Sequence, residues 1–199
     1  SFYTRCTRRS SSAHNGCIIL QSFTITGNSA ITTTPRIINQ FNFIHDFITY
    51  KKLDQVHFLG NSLGGHVSLI HVLKHPEKVK SLILTGSSGL FENGMGDSYP
   101  KRGDYDYIRK KTEMTFYDPA TASKELVDEV YEIVNNRIKA IKIIALAKSA
   151  IRHNLGEELN NIKQPTLLIW GNNDTITPPF VGREFHKLIP NSELHFVDK

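Results

Sequence analysis

Ser62 stands between two glycines, in Gly60-Asn61-Ser62-Leu63-Gly64, and that spacing suits a serine lifted clear of the chain on a very tight turn. Glycine matters on both sides because such a turn brings backbone segments together and leaves no room for a side chain. A serine hydroxyl attacks a carbonyl carbon only when a base takes its proton, so the chemistry also asks for a histidine and an acid to orient it. Asp174, in Trp170-Gly171-Asn172-Asn173-Asp174-Thr175, reads from its neighbours alone as an Asx-turn residue in a polar loop. The developing oxyanion needs N–H donors, and the Leu63 amide, at the start of a helix, points where one is wanted. By itself the glycine–serine–glycine spacing arises by chance in roughly one chain of this length in fifteen at average residue usage. Its weight therefore depends on the elements that carry it.

Those elements are legible from residue 35 onward. Ile37, Phe41, Ile44 and Ile48 recur at spacings of four, three and four, which predicts a helix after Pro35 with one apolar stripe. Gln55 to Gly60 reads as a short buried strand, Leu63 to His75 as a helix stopped by Pro76, and Val79 to Thr85 as a second strand. Strand, helix, strand in that order predicts parallel pairing, with Ser62 at the strand-to-helix turn. Gly86, Gly89, Gly94, Gly96, Pro100 and Gly103 then mark an excursion from the sheet. Ser123 can cap a helix with apolar positions Leu126, Val130, Ile133 and Val134, and Ile138 to Ile151 reads as another, so 91–155 is expected to be a mostly helical insertion. Thr166 to Trp170 is a third strand, Phe180 to Leu188 a helix and Glu193 to Val197 a fourth strand. Residues 1–35 are rich in Ser, Thr and Arg, with a single β-like run from Cys17 to Thr26.

Gly60-Asn61-Ser62-Leu63-Gly64-Gly65, His75-Pro76-Glu77-Lys78-Val79 and Leu82-Ile83-Leu84 together resemble the α/β-hydrolase superfamily, and Trp170 to Pro178 resembles the family's segment after its seventh strand. The resemblance covers about residues 36–199. It implies a partial α/β-hydrolase fold: a mostly parallel sheet with helices on both faces and a helical cap inserted between strands. In those terms 1–35 is an irregular head that does not match, 36–90 and 156–199 form the core, and 91–155 is the cap. The resemblance makes Ser62 the nucleophile and Asp174 the acid, with Leu63 N–H in the oxyanion hole. Asn61, the double glycine and the helical cap are similar to the carbon–carbon bond hydrolases of aromatic meta-cleavage pathways. Asn61 and Arg137 fall where substrate contacts are expected, and Arg137 is placed like a cap arginine that meets a substrate carboxylate. A solvated arginine on a helix face is the other reading of Arg137.

The triad histidine follows the acid in this family, and only His186 and His195 follow Asp174 here. The first falls on a helix and the second on the last strand, whereas the family's histidine sits in the loop beyond that strand. It is therefore expected after Lys199. His66, one helical turn past Ser62, is expected to pack in the core or at the surface, and His57 to be a strand residue. The family's second oxyanion donor comes from a loop, often beginning His-Gly, that has no match in 1–35. Loss of the preceding strands should expose an edge of the strand ending at Gly60, with the run from Cys17 to Thr26 as partial cover.

Composition narrows the classes. A chain of 199 residues with 39% hydrophobic and 22% charged residues is an ordinary globular protein, and no apolar run approaches a membrane span. The net charge of +5 is concentrated in the head, where residues 1–45 hold Arg5, Arg8, Arg9 and Arg36 and no acid. The rest is nearly neutral, without the basic stripe that nucleic acid requires. Two cysteines, Cys6 and Cys17, fit a reducing, cytoplasmic setting, although an acid-free head is also compatible with a targeting peptide or an altered N-terminus. No metal or cofactor is implied. The expected partner is a small molecule, neither nucleic acid nor membrane, and oligomeric state is not encoded legibly. Two functions stay open: a serine hydrolase acting on a small ester or a carbon–carbon bond beside a carbonyl, and a catalytically incomplete fragment or binding protein.

Overall fold

Five short apolar runs pair into one parallel sheet in the computed structural model of the chain, which describes residues 15–20, 36–93 and 101–198. The strands are β1 (Asn15–Leu20), β2 (Gln55–Asn61), β3 (Val79–Thr85), β4 (Thr166–Gly171) and β5 (Ser192–Val197), and their order in the sheet is their order in the chain. Parallel neighbours need long crossovers, and helices supply them. These are α1 (Ile37–Tyr50), α2 (Leu63–Lys74) and α6 (Pro179–Leu188), with α3 (Tyr105–Glu113), α4 (Lys124–Asn135) and α5 (Arg137–Arg152) between β3 and β4.

The period-two alternation of the strands separates the two faces of the sheet. Register aligns Leu20, Gly60, Leu84, Leu168 and Leu194 in one row, flanked on the same face by Phe58 and Trp170. Helices cover this face: the Phe58 ring lies 5.2 Å from His71 of α2, and Trp170 lies 5.6 Å from Phe185 of α6. The four residues of the expected α1 stripe, Ile37, Phe41, Ile44 and Ile48, are its four buried residues, packed toward α2. On the opposite face Leu59, Ile83, Leu167 and Ile169 are half-buried. Helices were expected on both faces; among the described residues α1, α2 and α6 share one.

The edge of β2 is not open. Asn15–Leu20 pairs with it along its length, from Asn15 beside Gln55 to Leu20 beside Gly60, so part of the head is a strand of the sheet. The remainder of the β-like run, residues 21–26, lies outside the described residues, as do Cys6 and the stretch 94–100. Between β3 and β4 the chain is helical. Ser123 Oγ accepts from Leu126 N at 3.3 Å and starts α4, but Val127 is buried where the spacing pointed to Leu126. Asn136 ends α4 and caps α5 by accepting from Lys139 N at 3.0 Å. The first amide of α1, lacking a side-chain cap, donates instead to Ser149 Oγ of α5 at 3.1 Å, which ties the helical segment to the core.

Candidate active site

Ser62 is the N-cap of α2, and its backbone (φ 50°, ψ −119°) lies where L-residues other than glycine rarely go. Such a conformation costs on the order of 1–3 kcal/mol and persists only when its surroundings enforce it. Here they do. Ser62 N donates to Thr85 O at 3.1 Å, and the Ser62 carbonyl accepts from Gly65 N at 3.0 Å, His66 N at 3.3 Å and Ser88 N at 3.1 Å. Asn61 staples the same turn to β3, its Nδ2 donating to Thr85 O at 3.1 Å and to Thr85 Oγ1 at 2.9 Å. The glycines are a consequence of close packing. A Cβ on Gly60 would meet the Gly65 backbone at 2.6 Å, one on Gly64 would run into the Leu20 carbonyl, and one on Gly65 into Ser87 Oγ.

Serine at an N-cap ordinarily spends its hydroxyl on a helix amide. Ser62 does not, and among the described residues its Oγ has no hydrogen-bond partner. Leu63, the first residue of α2, has an amide that the helix itself leaves unpaired. Both groups therefore stand available at the same turn.

Asp174 lies in the loop after β4. Its Oδ1 accepts from Ile176 N and Thr177 N, both at 2.8 Å, and its Oδ2 accepts from Thr177 Oγ1 at 2.9 Å. The loop is pinned from beneath, where the buried indole of Trp170 donates to Thr177 O at 2.7 Å. Gly86, with φ +46°, follows β3 directly, and a side chain there would meet Asp174 Oδ2 at 3.0 Å. Asp174 thus reaches over the end of β3, the strand whose Thr85 holds Ser62, so the C-terminal ends of three adjacent strands bring the serine and the acid to one edge. The Asx-turn and an oriented carboxylate are the same set of bonds.

The other candidates are placed as follows. Arg137 is exposed at the start of α5. His57 Nδ1 lies 2.7 Å from Ser81 Oγ on the half-buried face, His186 Nδ1 lies 2.9 Å from Ser192 Oγ, and His195 Nε2 lies 2.6 Å from Glu193 Oε1. His66 is fully buried with Nε2 3.3 Å from His153 Nδ1; burial, then the charge of His153, lowers its pKa to about 4. Among the described residues no histidine ring is hydrogen-bonded to the Ser62 hydroxyl or the Asp174 carboxylate. The chain end is nonetheless delivered to the acid loop: Asn172 N donates to Val197 O at 3.0 Å, and Asn172 Nδ2 to Asp198 Oδ1 at 2.6 Å.

The sequence did not point to the segment after β3 as part of this edge. Asn93 N donates to Ile176 O at 2.7 Å and Asn93 Nδ2 to Thr175 O at 2.8 Å, which clamps it across the acid loop. Beside that clamp Phe91 and Phe180, each about half exposed, meet with ring centroids 5.4 Å apart. No spacing rule links residues so far apart in the chain. No group of three or more His, Cys, Asp or Glu among the described residues can hold a metal ion, and no described helix is long and apolar enough to cross a membrane.

Comparison with known proteins agrees with this fold. The family model described as alpha/beta hydrolase fold matches residues 10–123 and 133–199, which includes β1 within the head. A curated relative, 2-hydroxy-6-oxononadienedioate/2-hydroxy-6-oxononatrienedioate hydrolase 2 of Pseudomonas putida, is 28% identical over 162 residues, 72% of this chain and 54% of its own. The chain thus spans about half the length of the curated relatives it matches. An alpha/beta hydrolase enzyme from the metagenome of lagoon sediments at Mar Chica, Morocco, superposes with a TM-score of 0.69 at 29% identity, covering 98% of this chain and 88% of that one. The 2-hydroxy-6-oxo-6-phenylhexa-2,4-dienoate hydrolase of Rhodococcus sp. strain RHA1, at 21% identity, shares the fold with a TM-score of 0.71 over 83% of this chain and 66% of its own. The chain belongs to the alpha/beta hydrolase fold family.

Proposed function

We propose that this chain carries the nucleophile and acid of a serine hydrolase that cleaves a small ester, or a carbon–carbon bond next to a carbonyl, through an acyl-serine intermediate. The observation that carries the reading is Ser62 itself: a strained N-cap serine whose hydroxyl, among the described residues, caps nothing. The carbon–carbon alternative is favoured by relatives such as the Pseudomonas putida hydrolase named above.

In this reading Ser62 Oγ attacks the substrate carbonyl carbon and gives its proton to a histidine that follows Lys199, oriented by Asp174. The bonds from Asn172 to Val197 and Asp198 support that placement, because they start the next residues beside the acid. Leu63 N–H holds the tetrahedral oxyanion, the leaving group takes the proton as the bond to the acyl carbon breaks, and water then releases the acyl group from Ser62. Helices α3 to α5 form the cap, Arg137 and Asn61 contact the substrate, and no cofactor takes part. Asn61 also holds the turn that places Ser62, its Nδ2 donating to Thr85.

A second reading, a catalytically incomplete member that binds without turnover, is favoured by one observation: each histidine after Asp174 in the described residues is engaged elsewhere. A serine-directed phosphonate with peptide mapping separates the two. The chain prolonged by its own following sequence through the histidine should be labelled at Ser62, and the 199-residue chain far more slowly. A folded, prolonged chain that takes no label leaves the binding reading standing.

A further inference from the structure

His66 and His153 are 87 residues apart in the chain and share a hydrogen bond across two elements, α2 and the end of α5. His66 is fully buried, and its second nitrogen, Nδ1, has no partner. Immediately after His153 the chain returns to the core by bonding to the segment that leaves β3. Leu155 N donates to Gly89 O and Asn154 Nδ2 to Leu90 O, both at 2.8 Å. Gly89, at φ +119°, a conformation that side chains disfavour, lies against the His66 ring, which an added Cβ would approach to 3.6 Å. The residue before it, Ser88, donates its N–H to the Ser62 carbonyl. A contiguous set of bonds therefore runs from the histidine pair, through 153–155 and 88–90, to the strained turn.

We propose that His66 and His153 are a positioning pair, two neutral imidazoles that latch residues 153–155 against 88–90 and so brace Ser62, and that acid releases the latch. Two imidazoles can share one hydrogen bond only while one nitrogen of the pair is an unprotonated acceptor. Charge on either ring removes that acceptor or places a cation where no counter-charge waits. The ionisable groups on the elements packed around the pair are Glu92 at the β3 exit, bonded to Ser88 Oγ at 2.7 Å, Arg152, Glu157 and Glu158 around His153, and His71 on α2; none of these offsets a charge on His66, which burial opposes first and His153 second. His66 protonates near pH 4 when latched and near 6.5 when released, so acid favours release, beginning as pH falls below 6.5.

The test is amide hydrogen exchange by NMR on the chain, corrected for the pH dependence of intrinsic exchange. The Leu155 amide, which reports the latch, is compared with the Leu82 amide, which donates to Pro165 O in the sheet region and reports wider opening. Leu155 should be less protected than Leu82 at pH 7.5, and between pH 7.5 and 5 its own protection should fall roughly 30-fold, from the two pKa values of His66. His66→Gln, neutral at every pH, should abolish that fall, and His66→Asn, likewise neutral, gives the same answer if the first variant does not fold. Leu155 protection that does not fall in the unaltered chain, or a fall that survives in the variants, overturns the proposal.

Discussion

His71 offers a perturbation whose size follows directly from its surroundings. It is fully buried between α1 and the sheet, against the rings of Phe41 and Phe58, and neither ring nitrogen has a partner. Burial, then repulsion from His75 and His45, lowers its pKa from 6.5 to about 3. The unfolded chain therefore binds a proton that the folded chain refuses, so stability is fully present above pH 6.5 and is lost as pH falls below it toward 3. Between pH 7.5 and pH 5 that loss is about 2 kcal/mol, and by pH 4 about 3 kcal/mol, for this one side chain. His71→Leu removes both the titration and two unsatisfied nitrogens, so it should be neutral or stabilising at pH 7.5. Urea unfolding of both proteins at several pH values gives the comparison, read as midpoints at constant slope. The variant should gain about 2 kcal/mol on the unaltered protein as pH drops from 7.5 to 5. Stability differences that stay constant across that range would refute the reasoning, because a histidine that titrates alike in both states carries no such linkage.

Other consequences concern the site. Gly64→Ala drives a methyl into the Leu20 carbonyl and must part α2 from β1, so it should cost about 3 kcal/mol or more by denaturant unfolding. Asn61→Ala removes both staples from the turn to Thr85 and should cost about 1–2 kcal/mol while also slowing phosphonate labelling of Ser62. Asp174→Asn preserves the loop's shape but weakens orientation of the proposed base; in the prolonged chain kcat should fall on the order of 10⁴-fold with little change in thermal midpoint. Phe91 and Phe180 offer an apolar surface beside the acid loop, so Phe180→Ala should flatten the preference for longer acyl chains among p-nitrophenyl esters, with acetate hydrolysis nearly unchanged.

Local pattern carried much of this architecture and non-local pairing very little. The α1 stripe was readable because four residues at helical spacing suffice to define a buried face, and those four are the ones buried. The strand-to-helix turn at Ser62 was readable because glycine at three nearby positions has few causes other than close backbone approach. β1 was harder: Cys17 to Leu20 is a short apolar run in a Ser- and Thr-rich context, and only its partner β2 makes it a strand. In α4 the choice between Leu126 and Val127 turns on a rotation of one residue, which spacing alone cannot fix when both are apolar. Contacts such as His66 with His153 or Asn93 with Thr175 join positions more than eighty residues apart, where nothing in the chain's periodicity specifies a partner. The carboxylate of Asp174 illustrates the boundary: its Asx-turn was visible in the sequence, while its reach over Gly86 toward the β3 edge depends on how the strands stack.

The central claim, that Ser62 is the attacking group, is tested most directly by trapping its acyl intermediate. The chain, prolonged through the histidine proposed to follow Lys199, is mixed with p-nitrophenyl acetate, quenched in acid within the first turnover and mapped by peptide mass spectrometry. The account predicts an acetyl group on Ser62, absent from Ser62→Ala and accumulating more slowly in Asp174→Asn. Rapid ester cleavage with no acetyl on Ser62, or with the acetyl on another residue, would contradict it.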